Sequence, residues 1–355
     1  FAIKKDDDKG HDVRFEYEDN SNGTFGATSN EIVVREKNYN AYGLFDFSIS
    51  RSDNTVTSHL IDLTNLGKSA TSLTFGRQIE LGEEEISKVY LENGRFSGSG
   101  DIAYAFLSDE VVNIGVNFFN NFTKLQEVTF GNGITEIATG AFQNCTNLKH
   151  VVLPDSLITI GDSAFSGCTS LISINIPDKV QWVPANCFNG CTNLSSVTLS
   201  DAGNLLQIRA SAFSNCKSLT SITIPGSVKM IMSGAFGGCE SLSQVTLEEG
   251  GTGENLWIEV NSFKDCISLT TLSLPSQTWA IGESAFSGCI SLESVYLPED
   301  NKMLIIGQNA FADCKRLTSV LIPESVTEIG WDAFKGCKGL TSITIPDSVT
   351  KIGDF

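Results

Sequence analysis

The sequence predicts a β-rich solenoid, in which similar coils of about 23 residues stack on one another. Two observations carry this prediction. A phenylalanine returns along most of the chain at nearly constant spacing, and short runs of alternating apolar and polar residues return with it. Charged residues make up only 19% of the chain, while Gly, Ser and Thr are abundant, which favours short strands joined by tight turns.

The phenylalanine ladder sets the length of a coil. Successive members lie 23, 23, 23, 25, 23, 27, 23, 25 and 23 residues apart. One coil alone cannot bury its Leu, Ile, Phe and Cys side chains, so neighbouring coils must stack at about 4.8 Å and share one core. The members are Phe119, Phe142, Phe165, Phe188, Phe213, Phe236, Phe263, Phe286, Phe311 and Phe334.

Each coil contains two extended segments. In residues 219–224 (LTSITI), Ile222 and Ile224 alternate with polar residues, as in a strand with one solvent-exposed face. Pro225 ends this segment because proline has no N–H for a ladder. The second segment ends in Ile and usually in Gly, at a position where a positive φ would suit glycine. These glycines are Gly161, Gly282, Gly307 and Gly330.

A compact turn and a cysteine close each coil. Residues 162–165 are predicted to form a capped single helical or 3₁₀ turn that directs Phe165 into the core. Nine of the ten cysteines occupy one repeat position, which predicts a column of free, buried thiols, with disulfides or a zinc role as the alternative. They are Cys145, Cys168, Cys191, Cys216, Cys239, Cys266, Cys289, Cys314 and Cys337.

The segments LTSITIPDSVTKIGDF and SLISINIP, with IGDSAFSGC between strands, resemble the leucine-rich repeats of the BspA-like family. The resemblance covers residues from about 105 to 355, and in degenerate form from about 70. It implies a right-handed, curved leucine-rich-repeat solenoid on bacterial surfaces, associated with adhesion to host proteins or other cells. The motif itself carries no catalytic residues.

The chain divides into three predicted parts. Residues 1–12 are polar and charged and are expected to be a flexible tether, such as follows the lipid-anchored cysteine of a surface lipoprotein. Residues 13–70 lack the repeat and show alternating runs between Asn, Gly and Ser-rich turns, which predicts a small β-rich N-terminal domain or cap. Residues 71–355 form the solenoid, with clear repeats from about 105.

The charge balance excludes some partners. The net charge of −18, from 24 basic and 42 acidic residues, would repel a nucleic-acid backbone and an anionic membrane surface. No stretch approaches the roughly 18 consecutive apolar residues of a membrane span. The resemblance to bacterial surface proteins implies an extracellular or cell-surface location, including an outer-membrane lipoprotein, and the sequence predicts no transmembrane span.

Catalytic chemistry finds little support in the sequence. The only histidines, His11, His59 and His150, are widely separated, so a Ser/His/Asp or Cys/His site cannot be assembled from them. Phosphate-cradling loops, nucleophile elbows, zincin helices and EF-hand loops are also absent from the sequence. The sequence predicts no enzyme activity, no metal site and no cofactor.

The first extended segments present outward residues that are mostly Ser and Thr. This row is expected to lie on a concave sheet. Its plainest interpretation is a polar, solvated face. The alternative is ligand binding through the unusual members His150, Gln244 and Tyr296.

The second extended segments carry large apolar residues at two positions that lie between inward-facing ones. Partial exposure is expected there, so these side chains need a reason. They either pack beneath longer inserts or form a partner-binding stripe. The stripe consists of Trp182, Leu206, Met230, Trp257, Trp279 and Ile305.

Acidic inserts lengthen every second coil at Asp201–Asn204, Glu248–Glu254 and Glu299–Lys302. They could line up as a ridge. A solvated acidic edge is the preferred interpretation, and calcium binding is the alternative, which would need many converging oxygen ligands.

The extended repeat surface favours an interaction module over an enzyme, and the family resemblance implies a secreted or cell-surface adhesion module, which binds a protein or glycan on host or neighbouring cells through its repeat surface. The first alternative is a structural spacer with no ligand of its own. A carbohydrate-active enzyme is the second, and would need two carboxylates facing one another across a cleft, whereas the acids form a row.

Overall fold

The computed structural model describes residues 31–32, 45–52, 55–63, 72–75, 88–91, 93, 102–251, 255–298 and 303–353. The chain forms two compact units, an N-terminal unit, Phe1–Cys168, and a C-terminal unit, Thr169–Phe355. Both are built as parallel β-solenoids, and no helix occurs in the described residues. The predicted tether at residues 1–12, with His11, lies outside the described residues, as does the side chain of His59.

The N-terminal unit has eleven described strands. They are β1 (Glu31–Ile32), β2 (Phe45–Ser52), β3 (Thr55–Leu63), β4 (Ser72–Phe75), β5 (Lys88–Leu91), β6 (Tyr104–Leu107), β7 (Val111–Ile114), β8 (Glu127–Thr129), β9 (Glu136–Ile137), β10 (His150–Val151) and β11 (Thr159–Ile160).

Two sheets run through this unit. Strands β1, β4, β6, β8 and β10 pair in parallel in that order, and β3, β5, β7, β9 and β11 do the same on the other sheet. Strand β2 pairs antiparallel with β3. Strands β1 to β3 fall within residues 13–70 and join the same sheets as the later coils. A separate N-terminal domain or cap there stays a prediction.

The C-terminal unit has fifteen described strands. They are β12 (Ser173–Ile176), β13 (Trp182–Val183), β14 (Ser196–Leu199), β15 (Gln207–Ile208), β16 (Ser221–Ile224), β17 (Met230–Ile231), β18 (Gln244–Leu247), β19 (Leu256–Ile258), β20 (Thr271–Ser273), β21 (Thr278–Ile281), β22 (Ser294–Tyr296), β23 (Ile305–Ile306), β24 (Ser319–Val320), β25 (Glu328–Ile329) and β26 (Lys351–Ile352).

Each coil of this unit up to β25 contributes a first strand and a second strand, as predicted. The last coil contributes the second strand β26 and, in place of a first strand, an isolated bridge between Leu321 and Thr344. The first strands pair in parallel within the sets β12–β14, β16–β18 and β20–β22–β24. The second strands β13, β15, β17, β19, β21, β23, β25 and β26 form one parallel sheet in that order. Coils that pair in register keep equivalent side chains in columns, because β-strand side chains alternate between the two faces of a sheet.

The alternation in the first strands matches the predicted pattern. In β16, Ile222 and Ile224 are 3% and 1% exposed, whereas Ser221 and Thr223 face solvent. The apolar residues of first and second strands therefore meet inside the coil and form the core.

The phenylalanine ladder is stacked inside both units. Neighbouring rings lie with centroids 5.0–5.5 Å apart and interplanar angles of 12° or less within each unit. Nearly parallel rings at this separation combine apolar burial with favourable offset stacking. The prediction that stacked coils share one core is confirmed within each unit.

Two details of the predicted turns are wrong. Residues 162–167 form consecutive hydrogen-bonded turns, not one capped helical turn, because Ser163 has a φ of 58°. The glycines that end the second segments do not adopt a positive φ. Glycine is required there by close packing: a Cβ at Gly161 would lie 2.3 Å from the Thr139 nitrogen of the neighbouring coil.

The cysteine column is free and buried, as predicted. The thiols donate hydrogen bonds to phenylalanine carbonyl oxygens of the preceding coil, at 3.1–3.3 Å from Cys145, Cys168, Cys216, Cys239, Cys266, Cys289, Cys314 and Cys337. Burial raises the pKa of the Cys239 and Cys289 thiols from 9.0 to about 12. These cysteines serve as small core residues that also satisfy a backbone acceptor.

Candidate functional site

The outward side chains of β6, β8 and β10 form an exposed patch on the N-terminal unit. We name it the Tyr104 patch, and its members are Tyr104, Phe106, Glu127, His150 and Val152. Tyr104, Phe106 and Val152 are 50%, 46% and 73% exposed, and Glu127 and His150 are also exposed. Large apolar side chains are unusual at positions where other coils carry Ser or Thr.

The strand register brings members of the Tyr104 patch into one column. Tyr104 is the register partner of Glu127, which in turn is the partner of His150. Phe106 is the partner of Thr129 on the same face. The predicted site residue His150 therefore lies next to Glu127 in the column, and Tyr104 lies on the strand beyond Glu127.

Sequence reasoning missed the aromatic half of this patch. Tyr104 and Phe106 precede the first clear member of the phenylalanine ladder, where the repeat is degenerate. Their signal was the run 104–107 (YAFL), in which large residues at alternate positions face solvent while Ala105 and Leu107 are buried.

The other predicted first-strand residues, Gln244 and Tyr296, lie on the C-terminal unit. Both are exposed, and Tyr296 reaches 62%. Tyr296 is the register partner of Ser273. Leu321, the third residue of the next first segment, is 63% exposed and was missed because the pattern there is otherwise polar. Tyr296 and Leu321 form a second place where large side chains face solvent among hydroxyl-bearing ones.

The predicted stripe on the second strands is partly covered by its own neighbours. Trp182 is half-buried, and the Cζ atom of Arg209 in the next coil lies 4.4 Å from the centroid of its ring. The Arg209 Nε donates a hydrogen bond of 3.3 Å to Gln207 Oε1. This cation–π contact covers one ring face.

Trp257 and Trp279 form a stacked pair, with ring centroids 4.2 Å apart and an interplanar angle of 28°. The register between β19 and β21 shifts at this point, because Leu256 pairs with Thr278 while Trp257 pairs with Ala280. Trp279 is therefore the additional residue of a β-bulge, and its side chain lies against Trp257. Trp257 is 41% exposed, and Trp279 is half-buried.

The remaining stripe residues, Leu206, Met230 and Ile305, are half-buried. Met230 pairs in register with Trp257, and Ile305 pairs with Ala280. The second-strand sheet thus brings Met230, Trp257 and Ile305 into one outward column, while Leu206 and Trp279 lie at its side. Partner binding by this stripe stays a prediction.

The acidic inserts contribute to a shallow cavity of about 410 Å³. Asp201, Glu248 and Glu249 line it, together with glycine backbone. The Glu249 carboxylate accepts hydrogen bonds from the Ser276 backbone N–H, at 3.1 Å, and from its hydroxyl, at 2.6 Å. Residues 252–254 and 299–302 of the predicted ridge lie outside the described residues.

Metal-binding clusters and membrane-spanning helices are both absent from the described residues. No group of three or more His, Cys, Asp or Glu side chains in that part of the chain is arranged to hold a metal ion. Nor does that part contain a helix with the length and apolarity needed to cross a membrane.

Coils of this length, with a first strand, a second strand and a stacked phenylalanine–cysteine core, define a leucine-rich-repeat solenoid. The family model for the BspA type leucine-rich repeat region, which comprises six copies, matches residues 89–206, 137–255 and 253–355. The chain therefore belongs to the BspA type leucine-rich-repeat family. No curated protein matches the chain.

Solved structures agree with this assignment. The chain is similar to a leucine-rich cell surface protein from Faecalibacterium prausnitzii, with 26% identity, coverage of 88% of this chain and 93% of that chain, and a TM-score of 0.55. It is also similar to a leucine-rich repeat protein from Bacteroides ovatus, with 24% identity, coverage of 87% and 89%, and a TM-score of 0.58. The second likeness shows the fold alone.

Proposed function

We propose that this chain is a cell-surface or secreted interaction module, which adheres to a protein or glycan on host or neighbouring cells through its repeat surface. Membership of the BspA type family supports a role in protein interaction. The similar Faecalibacterium prausnitzii structure is described as a cell surface protein, which supports the proposed location.

One observation carries the proposal. The first-strand faces expose large side chains that have no place in the core, in the Tyr104 patch of the N-terminal unit and at Tyr296 and Leu321 of the C-terminal unit. Large exposed apolar patches mark interaction sites, and aromatic side chains such as Tyr104 and Tyr296 are among the residue types that anchor interfaces when a partner covers them.

The test is binding of the full chain to an array of extracellular-matrix proteins and glycans. One variant carries Tyr104→Ser, Phe106→Ser and Val152→Ser, and a second carries Trp182→Ser, Trp257→Ser and Trp279→Ser. A saturable ligand lost in only one folded variant would identify the binding surface. Circular dichroism and urea unfolding of each variant separate lost binding from lost folding.

Absence of any saturable ligand for the unmodified chain would contradict this proposal. It would favour the alternative, a spacer that holds other parts of a surface protein away from the cell. A matched control carries Ser196→Ala and Ser221→Ala on the first-strand face, where removal of exposed hydroxyls should leave folding and binding unchanged.

A further inference from the structure

We propose that the Tyr104 patch binds a basic segment of a protein partner, with an arginine or lysine side chain paired to the carboxylate of Glu127. This inference rests on the proposed function and adds to it the chemistry of the partner. Two aspects of the site carry it, the position of Glu127 within the patch and the cost of covering that carboxylate.

Glu127 lies at the centre of a column of exposed side chains. Its register partners are Tyr104 on β6 and His150 on β10, and neighbouring strands lie about 4.8 Å apart. Phe106 lies on the same face of β6 and Val152 follows directly after β10, both exposed. The strand register thus places Glu127 between Tyr104 and His150, on a face that also exposes Phe106 and Val152.

The Glu127 carboxylate is not engaged within the described part of the chain, where no side chain forms an ion pair or hydrogen bond with it. Lys149, one residue before His150, is exposed and also makes no ion pair there. As far as the described residues go, Glu127 is therefore available to a group supplied by another molecule.

A partner that covers this face must remove water from Glu127. Desolvating a carboxylate without a compensating partner is costly, so a neutral or acidic segment would bind poorly. A guanidinium or ammonium group compensates the charge, and it also gains from an adjacent aromatic ring. The net charge of −18 on the whole chain attracts a basic segment during encounter.

The chain shows elsewhere that it stabilises a cation in a similar setting. Arg209 lies 4.4 Å from the ring centroid of Trp182 and donates to Gln207. There the cation, the ring and the acceptor all belong to the C-terminal unit. In the Tyr104 patch the ring and a stronger, charged acceptor are present, and the cation would come from the partner.

The experiment uses the full chain and two fluorescein-labelled dodecapeptides. One peptide alternates arginine and leucine, and the other alternates glutamate and leucine. Fluorescence anisotropy measures the Kd for the unmodified chain, for Glu127→Gln and for Glu136→Gln. Glu136 is a matched control, because it is also an exposed acid of the N-terminal unit but lies on the second-strand sheet.

The arginine peptide should bind saturably and the glutamate peptide should not. Glu127→Gln should raise the Kd for the arginine peptide about tenfold, which corresponds to the loss of one charge-assisted hydrogen bond in a covered site. Glu136→Gln should raise it less than about twofold. Tyr104→Ser with Phe106→Ser should weaken binding by a similar factor while leaving urea unfolding unchanged.

Equal weakening by Glu127→Gln and Glu136→Gln would overturn the inference, since it would indicate only general attraction to an acidic chain. Binding of the glutamate peptide, or of neither peptide, would overturn it as well. An array ligand that binds Glu127→Gln as tightly as the unmodified chain would refute this inference and leave the proposed function intact. If the proposed function itself is wrong, the unmodified chain will bind no member of the array.

Discussion

The indole ring of Trp279 stacks on that of Trp257, with 4.2 Å between the ring centroids. The contact depends on a difference in length between neighbouring coils. Strand β19 has one residue between buried Leu256 and Ile258, whereas β21 has two between buried Thr278 and Ile281. The additional residue is Trp279, and its position covers the outward ring of the shorter strand.

Replacing Trp279 by alanine should lower the free energy of unfolding by about 2 kcal/mol. Truncating a half-buried indole should cost less than truncating a fully buried one, because less apolar contact is lost. Urea unfolding followed by circular dichroism measures this change. Trp331→Ala is the control, since that side chain is 60% exposed, and its effect should stay below about 1 kcal/mol. Equal effects of the two substitutions would contradict a packing role for Trp279.

Substitution of Gly307 by alanine should destabilise the chain by more than about 2 kcal/mol, because the coils approach too closely for a side chain. A Cβ at Gly307 would lie 2.6 Å from the carbonyl carbon of Gly282. The control is Gly251→Ala, where a Cβ meets nothing within 4 Å. Thermal unfolding compares the two, and an unchanged Tm for Gly307→Ala would show that neighbouring coils can separate without cost.

The thiols of the native chain should resist modification. Burial makes the cysteines inaccessible, and it raises the pKa of the Cys239 and Cys289 thiols to about 12, so these two form few thiolates at about pH 8. An aromatic disulfide reagent should react slowly with the folded chain and rapidly with all ten cysteines in urea. Rapid reaction of most thiols in the folded chain would contradict the buried column.

Stability should fall in alkaline solution. The pKa of Cys239 and Cys289 is about 12 in the folded chain and 9.0 is the ordinary value, so between these limits the native state holds protons that the unfolded state releases. The stabilising effect of the neutral thiols is complete below pH 9.0 and is lost progressively as the pH rises towards 12.

Urea midpoints measured from neutral to alkaline pH test this dependence. A variant with Cys239→Ala and Cys289→Ala should lose some stability at neutral pH but show a shallower decline in alkali. The same slope in both chains would assign the decline to other groups.

The repeat was predictable because one physical requirement recurs in every coil. Phe165, Ala164 and Cys168 lie in the core for the same reason as their equivalents elsewhere, so their spacing alone predicts strands, core and stacking. Exposure of Ser221, Thr223 and His150 followed from the alternation of strand side chains.

Features that depend on two unequal coils could not be predicted in the same way. The stack of Trp257 on Trp279 arises from a register shift, which is a property of the pair of strands and not of either sequence segment. The glycines were recognised as necessary, but the reason is their contact with the backbone of the preceding coil, which only assembled coils reveal. Tyr104 and Phe106 were missed because their coil departs from the repeat.

The register of these strands has a consequence for how such a chain changes over generations. Each coil pairs only with the coil before it and the coil after it, and equivalent residues such as Glu127 and His150 meet at a separation of one repeat. If one whole repeat is duplicated or removed, the coils on either side of the change can therefore still pair in the same register. The exposed surface can grow or shrink by one coil at a time, while the side chains displayed on each coil diverge independently.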